Sequence, residues 1–212
     1  MKNSRIGIFG GTFNPIHLGH IHTVSQSAKL LGLEKVALMP ANIPPLKKAP
    51  TISTQHRVNM LKLVCEEHPC FYLETYELEQ DETSYTVKTL QSFKDKQREL
   101  DIFFFIGMDS LVNFHLWKNY KKILELTNLV VTTRPGYDLS NVQADLQNEL
   151  IDVDQFRNDS QSKSCGNIIL MPPQSFDIAS STIREMVAKH QDISSLVPEC
   201  VEQYIKSHNL YR

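Results

Sequence analysis

Eleven consecutive residues near the start of the chain have the types and spacing of a phosphate site: Gly10-Gly11-Thr12-Phe13-Asn14-Pro15-Ile16-His17-Leu18-Gly19-His20. A glycine turn that leads from a strand into a helix points free backbone N–H groups at an anion. His17 and His20 are three residues apart, on one face of the first helical turn, and their ring N–H groups can donate to phosphate oxygens. The glycine spacing and the missing Lys-Ser/Thr pair exclude a Walker loop and a dinucleotide fingerprint.

The two histidines allow other interpretations. They could be surface or capping residues at the start of a helix, or they could bind a metal ion. A His-x-x-His pair alone lacks a third ligand at useful spacing, so we predict no metal held by the protein itself. The complete eleven-residue pattern favours the phosphate role over the capping role.

A second cluster that could bind an anion lies near the C-terminal end, Ala179-Ser180-Ser181-Thr182-Ile183-Arg184. Ser180 or Ser181 can cap the N-terminus of the following helix, with Thr182 in its first turn. An ordinary capped helix would have the same pattern. The geometry nevertheless offers N–H and hydroxyl donors to an anion, and Arg184 adds a forked, permanently charged donor.

A third group of candidates follows the most apolar strand candidate. Gly107 would let a ligand approach the backbone, and Asp109 could accept hydrogen bonds from ribose hydroxyls. The alternative is a plain strand-to-helix turn with Asp109 as the N-cap residue. Trp117, the only tryptophan, is either a core residue or a stacking platform for an aromatic ring.

These candidates are distributed along an alternation of strands and helices. Apolar runs predict strands at residues 5–9, 35–40, 71–74, 101–106, 129–133 and 168–171. Amphipathic patterns predict helices at residues 18–31, 55–66, 85–97, 139–153, 182–189 and 198–207. Residues 103–106 are apolar at consecutive positions, which is typical of a strand buried on both faces of a parallel sheet.

The alternation favours an α/β fold, a doubly wound, Rossmann-like parallel sheet with helices on both faces. Such sheets bind ligands at the carboxyl ends of their strands, near the switch point of the strand order. The proline-rich residues 41–53 and the serine-rich residues 157–166 predict loops. Neither loop separates two cores, so we expect residues 1–212 to form a single domain.

Composition excludes several classes of protein. A formal net charge of −2 gives no reason to expect a nucleic-acid or membrane surface. The four cysteines form no C-x-x-C pair, and no signal-peptide pattern or long apolar run is present, so we expect free thiols in a reducing cytoplasm.

Together these motifs resemble those of a known enzyme family. The histidine pair and the serine-rich cluster with Arg184 resemble the phosphate motifs of the T/HxGH nucleotidyltransferases. Further segments resemble, in order, the bacterial nicotinate-nucleotide adenylyltransferases: Pro44-Pro45-Leu46-Lys47, Ser84-Tyr85-Thr86, Gly107-Met108-Asp109-Ser110-Leu111, Trp117 and Arg134-Pro135-Gly136-Tyr137. The resemblance covers essentially the whole chain. Asn14 stands where relatives commonly carry Asp, and Leu46 where they carry His.

The resemblance implies roles for individual residues. The residues expected to act directly on the reacting phosphates are His17, His20 and Arg184. Those expected to bind ATP are Gly10, Gly11, Thr12, Phe13, Gly19, Gly107, Asp109, Ser181 and Thr182. Those expected around the mononucleotide are Lys47, Thr86, Trp117 and Arg134. The cofactor expected is Mg²⁺, bound with ATP, in a monomer or homodimer.

The reaction that the resemblance implies is in-line attack of the 5′-phosphate of nicotinate mononucleotide on the α-phosphorus of ATP, without a covalent intermediate. Related enzymes that use phosphopantetheine, nicotinamide mononucleotide or glycerol phosphate are the alternatives within this chemistry. A different class is a catalytically idle nucleotide-binding regulator. Loss of either histidine or of Arg184 would favour it, and all three are present.

Overall fold

The computed structural model describes residues 4–42, 51–80, 85–97, 99–133, 136, 138–159, 163–173 and 178–212. The strands in these residues are β1 (Ser4–Gly11), β2 (Lys35–Pro40), β3 (Phe71–Leu73), β4 (Leu100–Gly107), β5 (Asn128–Thr132), β6 (Leu150–Asp152) and β7 (Ile168–Leu170). The α-helices are α1 (Leu18–Leu31), α2 (Thr54–Glu67), α3 (Thr86–Lys96), α4 (Met108–Val112), α5 (Tyr120–Leu126), α6 (Ala144–Gln147), α7 (Val153–Asn158), α8 (Ser180–Ala188) and α9 (Glu199–Ser207). Short 3₁₀ turns lie at Tyr76–Glu79, Phe114–Leu116 and Leu139–Asn141.

The strands form one sheet in the order β3-β2-β1-β4-β5-β7-β6, with helices on both sides. β4 pairs in parallel with β1 and β5, and β7 pairs in parallel with β5 and β6. The strand order reverses between β1 and β4, which is the position at which doubly wound sheets bind ligands. The predicted Rossmann-like α/β fold is confirmed.

The central strand β4 shows why the sheet is parallel and covered. Its residues 100–106 are buried without alternation, so both faces of the strand lie under other elements. Its partner β1 is in register from Ser4 opposite Leu100 to Phe9 opposite Phe105. The prediction of a strand buried on both faces is therefore confirmed.

Contacts between Cα atoms divide the chain into two compact units. The first unit comprises Met1–Phe9, Gln26–Val36 and Tyr85–Ser175, and the second comprises Gly10–Ser25, Ala37–Ser84 and Phe176–Arg212. In the first, α3 packs against α5; in the second, α2 packs against β3 and α9. A single domain over residues 1–212 stays a prediction.

The helix predicted at residues 139–153 is wrong. A 3₁₀ turn at Leu139–Asn141, the four-residue α6 and the strand β6 occupy this stretch instead. Its apolar residues recur at helical spacing, but Leu150 and Ile151 pair in register with β7. A capping box in which Asp152 and Gln155 bond each other's backbone then begins α7. Strand pairing and local capping override the helical pattern here.

The ends of the other predicted strands and helices lie within one or two residues of the observed ends. The short helices α4 and α5 were not predicted. The four cysteines are free thiols, as expected. In the described part of the chain, no helix has the length and apolarity needed to cross a membrane.

Candidate active site

The turn between β1 and α1 is a buried, tightly folded piece of the second unit. Phe13, Asn14, Ile16 and His17 are each 6% exposed or less. Phe13 has a φ of 48°, in the left-handed region that bulky side chains rarely adopt. Such conformations persist only where the surrounding structure over-determines them, and they cluster at functional sites.

The two motif histidines are in contact. Their rings stack with centroids 3.5 Å apart and planes 20° apart. The backbone N–H of His20 donates to Nδ1 of His17 at 3.3 Å. Because Nδ1 of His17 is thereby an acceptor, a neutral His17 ring carries its proton on Nε2, which can donate to an anion. His17 precedes α1 rather than lying in its first turn, and its ring accepts from the N–H of His20 in that turn, as an N-cap side chain does.

Gly19 leaves room for this imidazole. A Cβ atom at position 19 would lie 3.1 Å from Nδ1 and 3.3 Å from Cε1 of His17. Glycine therefore leaves the space in which the His17 ring folds over the start of α1. The edge of Phe13 meets the His20 ring, with centroids 5.6 Å apart. The motif thus positions both histidines through its own residues.

Helix α8 reaches this turn with the second motif. Nη1 of Arg184 donates to the carbonyl of Asn14 at 2.8 Å, and the Ser180 hydroxyl donates to the carbonyl of Pro15 at 2.9 Å. Segments more than 160 residues apart in the chain are therefore bonded together. Ser181 and Thr182 lie exposed in the first turn of α8.

The expected capping by Ser180 or Ser181 is wrong. Ala179 occupies the N-cap position of α8 and makes no side-chain hydrogen bond to the helix. The Ser180 hydroxyl is engaged by the Pro15 carbonyl instead. The serine that could have capped its own helix is thus bonded to the turn between β1 and α1.

Arg57 on α2 is a component that the sequence analysis missed. Its guanidinium is buried, with the residue 1% exposed. Nη1 donates to the carbonyls of Thr12 and Ala41 at 2.9 Å, and Nη2 donates to the Thr54 hydroxyl at 3.0 Å. Burial lowers the pKa of Arg57 from its ordinary value. No carboxylate pairs with it within the described ranges.

A signal for Arg57 was present in the sequence. It stands one helical turn before Leu61 and two before Val64, both of which are fully buried. A basic residue on the apolar stripe of an amphipathic helix must find partners inside the protein. Here the partners are backbone carbonyls of the turn between β1 and α1 and of the segment after β2.

In the first unit, β4 ends at Gly107, which is the N-cap residue of α4. The alternative that placed Asp109 at the N-cap is therefore wrong. Asp109 lies exposed in the first turn of α4. Its Oδ1 lies 2.6 Å from where a Cβ atom on residue 107 would stand, so a larger residue there would displace this exposed carboxylate.

Trp117 lies in the same unit and is half-buried. Its ring contacts Phe114 and Phe104, with centroids 5.4 and 6.3 Å away. Thr86, the first residue of α3, is also half-buried. Lys118 follows Trp117 in the chain, and Tyr85 precedes Thr86. Nζ of Lys118 lies 4.2 Å from the centroid of the Tyr85 ring. Trp117 therefore rests on the core but is not enclosed by it.

The remaining candidates divide into two sets. Gly10 and Gly11 form the end of β1, where the Gly11 carbonyl accepts from the N–H of Ala41 at 2.9 Å. Lys47 and Arg134 lie outside the described residues. Within the ranges that the structure describes, no group of three or more His, Cys, Asp or Glu residues is placed to hold a metal ion.

Comparisons with known proteins give a consistent result. The cytidylyltransferase-like family matches residues 8–186. A probable nicotinate-nucleotide adenylyltransferase of Shewanella frigidimarina is 37% identical over 98% of this chain and 100% of its own length. The nicotinate-nucleotide adenylyltransferase of Salmonella typhimurium strain LT2 is 39% identical over 97% of this chain and 97% of its own.

Solved structures resemble this fold over its whole length. Plasmodium falciparum nicotinic acid mononucleotide adenylyltransferase complexed with NaAD gives a TM-score of 0.74 at 19% identity, covering 98% of this chain and 97% of that one. The same enzyme complexed with APC gives a TM-score of 0.72 over the same shares. At this level of identity the likeness concerns the fold.

Proposed function

Because this chain belongs to the cytidylyltransferase-like family and to its nicotinate-nucleotide adenylyltransferases, we propose that it transfers the adenylyl group of ATP to nicotinate mononucleotide. The products are nicotinate adenine dinucleotide and pyrophosphate, in NAD biosynthesis. The observation that carries the proposal is the bonding of Arg184 on α8 to the Asn14 carbonyl of the histidine turn. This bond joins α8 to the histidine turn, which supports one phosphate site built from both proposed motifs.

The chemistry needs alignment more than proton transfer. A phosphate monoester has a second pKa of ~6, so the attacking 5′-phosphate is already an anion near neutral pH. Its oxygen forms a bond to the α-phosphorus while the bond to the pyrophosphate oxygen breaks, and no proton has to be removed. Holding the two reactants in line can supply roughly 7–11 kcal/mol of the barrier.

The proposed catalytic residues stabilise charge during that exchange. His17 offers Nε2 because its Nδ1 is occupied by the His20 N–H, and His20 stacks directly on it. Arg184 is held at the turn by the Asn14 carbonyl and has further N–H groups for the leaving pyrophosphate. Loss of one such donor costs about 2.7–4 kcal/mol of barrier in comparable sites.

We assign the other residues by their position in the motifs. The residues proposed to bind the adenosine and phosphates of ATP are Gly10, Gly11, Thr12, Phe13, Gly19, Gly107, Asp109, Ser181 and Thr182. The half-buried Trp117 would stack on the pyridine ring. Thr86 is proposed for the same site, and its neighbour Tyr85 contacts Lys118, which follows Trp117. Lys47 and Arg134 complete the proposed mononucleotide site.

The proposed metal is Mg²⁺ that arrives with ATP. The side chains described around the turn are imidazole, guanidinium and hydroxyl groups, whereas Mg²⁺ prefers carboxylate, phosphate and water oxygens. This donor set fits a metal held by the phosphates of ATP, with no cage of protein ligands. When bound, Mg²⁺ neutralises phosphate charge.

We further propose a cytoplasmic monomer or homodimer with no nucleic-acid partner. Four free thiols fit a reducing compartment, and a net charge of −2 provides no basic surface for a polyanion.

The proposal is tested by pyrophosphate release from ATP and Mg²⁺ with three separate acceptors: nicotinate mononucleotide, nicotinamide mononucleotide and phosphopantetheine. We expect strong preference for the nicotinate form. Preference for the amide would preserve the mechanism and overturn the assignment of the pyridine site. Release with none of them, from protein that binds ATP, would favour an idle nucleotide-binding regulator.

A further inference from the structure

Two guanidinium groups bond the turn between β1 and α1, and they differ in burial. Nη1 of Arg57 donates to the Thr12 carbonyl at 2.9 Å, and Nη1 of Arg184 donates to the Asn14 carbonyl at 2.8 Å. Arg184 is half-buried, whereas Arg57 is only 1% exposed. In the part of the chain that the structure describes, no carboxylate forms an ion pair with either group. Among the described residues, two positive charges thus lie at the turn without an acid to neutralise them.

The hydrogen bonds of Arg57 do not explain why its buried side chain is charged. Besides the Thr12 carbonyl, its acceptors are the carbonyl of Ala41 and the hydroxyl of Thr54, and all three are neutral. Its Nε is buried and has no hydrogen-bond partner within the described ranges. A fully buried arginine is normally paired with an opposite charge, because transfer of an unpaired charge out of water is costly. A neutral amide could donate to the same carbonyls at lower cost, so the charge itself requires an explanation.

Arg57 also determines how the peptide unit between Thr12 and Phe13 is oriented. The C=O and N–H of a trans peptide point in opposite directions, so the carbonyl that faces Arg57 directs the N–H of Phe13 away from it. A cation at the carbonyl oxygen polarises the peptide unit and makes its N–H a stronger donor. Both effects favour an anion on the face of the turn opposite Arg57.

We propose that Arg57 is a positioning residue of the adenylyl transfer, whose buried charge favours binding of the ATP phosphates through the Thr12–Phe13 peptide. The inference rests on the proposed function, in which this turn binds those phosphates. Arg57 is enclosed and acts without touching the ligand, whereas the half-buried Arg184 is the guanidinium proposed to contact pyrophosphate. The anion that neutralises the buried charge is the substrate.

The size of the effect follows from the distance over which the charge acts. Unit charges about 10 Å apart, at an effective dielectric constant of about 20, interact strongly enough to change an affinity roughly tenfold. A ligand without phosphates gains nothing from this field. Loss of the charge should therefore weaken the binding of pyrophosphate and leave that of adenosine unchanged, whereas damage to the shape of the turn should weaken both.

The test compares Arg57→Lys with Arg57→Met. Both variants lose the guanidinium fork and have unbranched side chains of similar length, so they differ mainly in charge. In Arg57→Met we expect pyrophosphate to bind about tenfold more weakly by calorimetry and kcat to fall by a similar factor, with the affinity for adenosine unchanged. In Arg57→Lys all three quantities should stay within about threefold of those of the unmodified protein. Measurement at about pH 6.5 favours the charged form of a buried lysine.

Lys62→Met is the matched control, because it removes a positive charge from the exposed face of the same helix. Exposed charges are screened by salt, so the affinity for pyrophosphate and kcat should not change. Arg57→Gln keeps an N–H that can donate to the Thr12 carbonyl. It replaces Arg57→Met as the neutral variant if the latter does not fold.

Three results would overturn the inference: equal pyrophosphate affinity in Arg57→Lys and the neutral variant, equal loss of adenosine and pyrophosphate affinity, or failure of all the Arg57 variants to fold, which would make the guanidinium purely structural. The proposed function fails separately, if the unmodified protein releases no pyrophosphate from ATP and nicotinate mononucleotide. In that case the pyrophosphate affinities of the charged and neutral variants still decide the role of Arg57.

Discussion

The histidine turn of the second unit and the surroundings of Trp117 in the first are held in different ways. Three side chains donate to backbone carbonyls of the turn: Arg57 to Thr12, Ser180 to Pro15 and Arg184 to Asn14. Trp117 is positioned by ring contacts with two phenylalanines and remains half-exposed. Directional bonds fix the turn, while non-directional packing supports the tryptophan.

The contrast matches what each region is proposed to do. Phosphoryl chemistry depends on donors placed within a few tenths of an ångström of the reacting oxygens, so the turn has to be over-determined. Stacking on an aromatic ring tolerates small displacements. Changes at the turn should therefore affect rate or folding, whereas changes near Trp117 should affect affinity.

The largest expected effect is that of His20→Ala. We expect kcat to fall by about 100–1,000-fold, because a preorganised donor to the transition state is lost. KM for nicotinate mononucleotide should change by less than about threefold. Steady-state pyrophosphate release measures both constants. His22→Ala, two positions along the same helix, serves as the control, and an unchanged kcat in His20→Ala would refute the assignment.

Arg57→Leu should have the next largest effect, and that effect should be on the stability of the fold. The variant leaves the half-buried carbonyls of Thr12 and Ala41 without their donor, at about 1–3 kcal/mol for each group. We expect the free energy of unfolding in urea to fall by about 3 kcal/mol. Arg57→Lys should recover only part of this, since an ammonium lacks the guanidinium fork.

The exposed Lys62 lies on the same helix, so Lys62→Leu is a control for the change of charge and shape. If Arg57→Leu unfolds at the same urea concentration as the unmodified protein, the histidine turn does not depend on α2. The contrast between bonded and packed regions would then be wrong.

Trp117→Ala should act on affinity. We expect KM for nicotinate mononucleotide to rise about tenfold through loss of the stacking surface, with kcat within about threefold. Trp117→Phe should restore most of the affinity. If Trp117→Ala loses its cooperative unfolding transition, the tryptophan is a core residue and the distinction between the two regions disappears.

Lys118→Met should have the smallest effect. The contact of its ammonium with the Tyr85 ring, at 4.2 Å, joins the start of α3 to the segment after Trp117. An exposed cation–π contact contributes about 0.5–1 kcal/mol, so KM for the mononucleotide should rise about two- to fivefold. Lys121→Met, whose ammonium is 5.9 Å from the Tyr120 ring, is the matched control and should leave KM unchanged.

Sequence alone predicted the elements whose signals are local. The apolar run of β4 and the helical period of α1 determine their own structures, and the predicted α1 matches at both ends. The two proposed phosphate motifs were recognisable because each keeps its candidate donors within a few consecutive residues. The resemblance implied that Arg184 acts together with the histidines of the turn. No local sequence pattern indicated it.

What could not be predicted depends on distant partners. Arg57 lies 45 residues from the Thr12 carbonyl that it bonds, and nothing near position 57 indicates that acceptor. Ser180 had an ordinary capping role available, and a carbonyl 165 residues away took its hydroxyl instead. β6 had helical periodicity and became a strand only because β7 lies beside it.

The parallel pairing of β1 with β4 also determines when the protein can fold during synthesis. β2, which lies on one side of β1, is synthesised soon after β1. β4, which pairs with the other edge of β1, begins only at Leu100. At about 5–20 residues per second, translation leaves that edge of β1 unpaired for roughly 5–20 s. An open, apolar strand edge invites association with other chains. The nascent chain is therefore most in need of a chaperone before β4 has emerged from the ribosome.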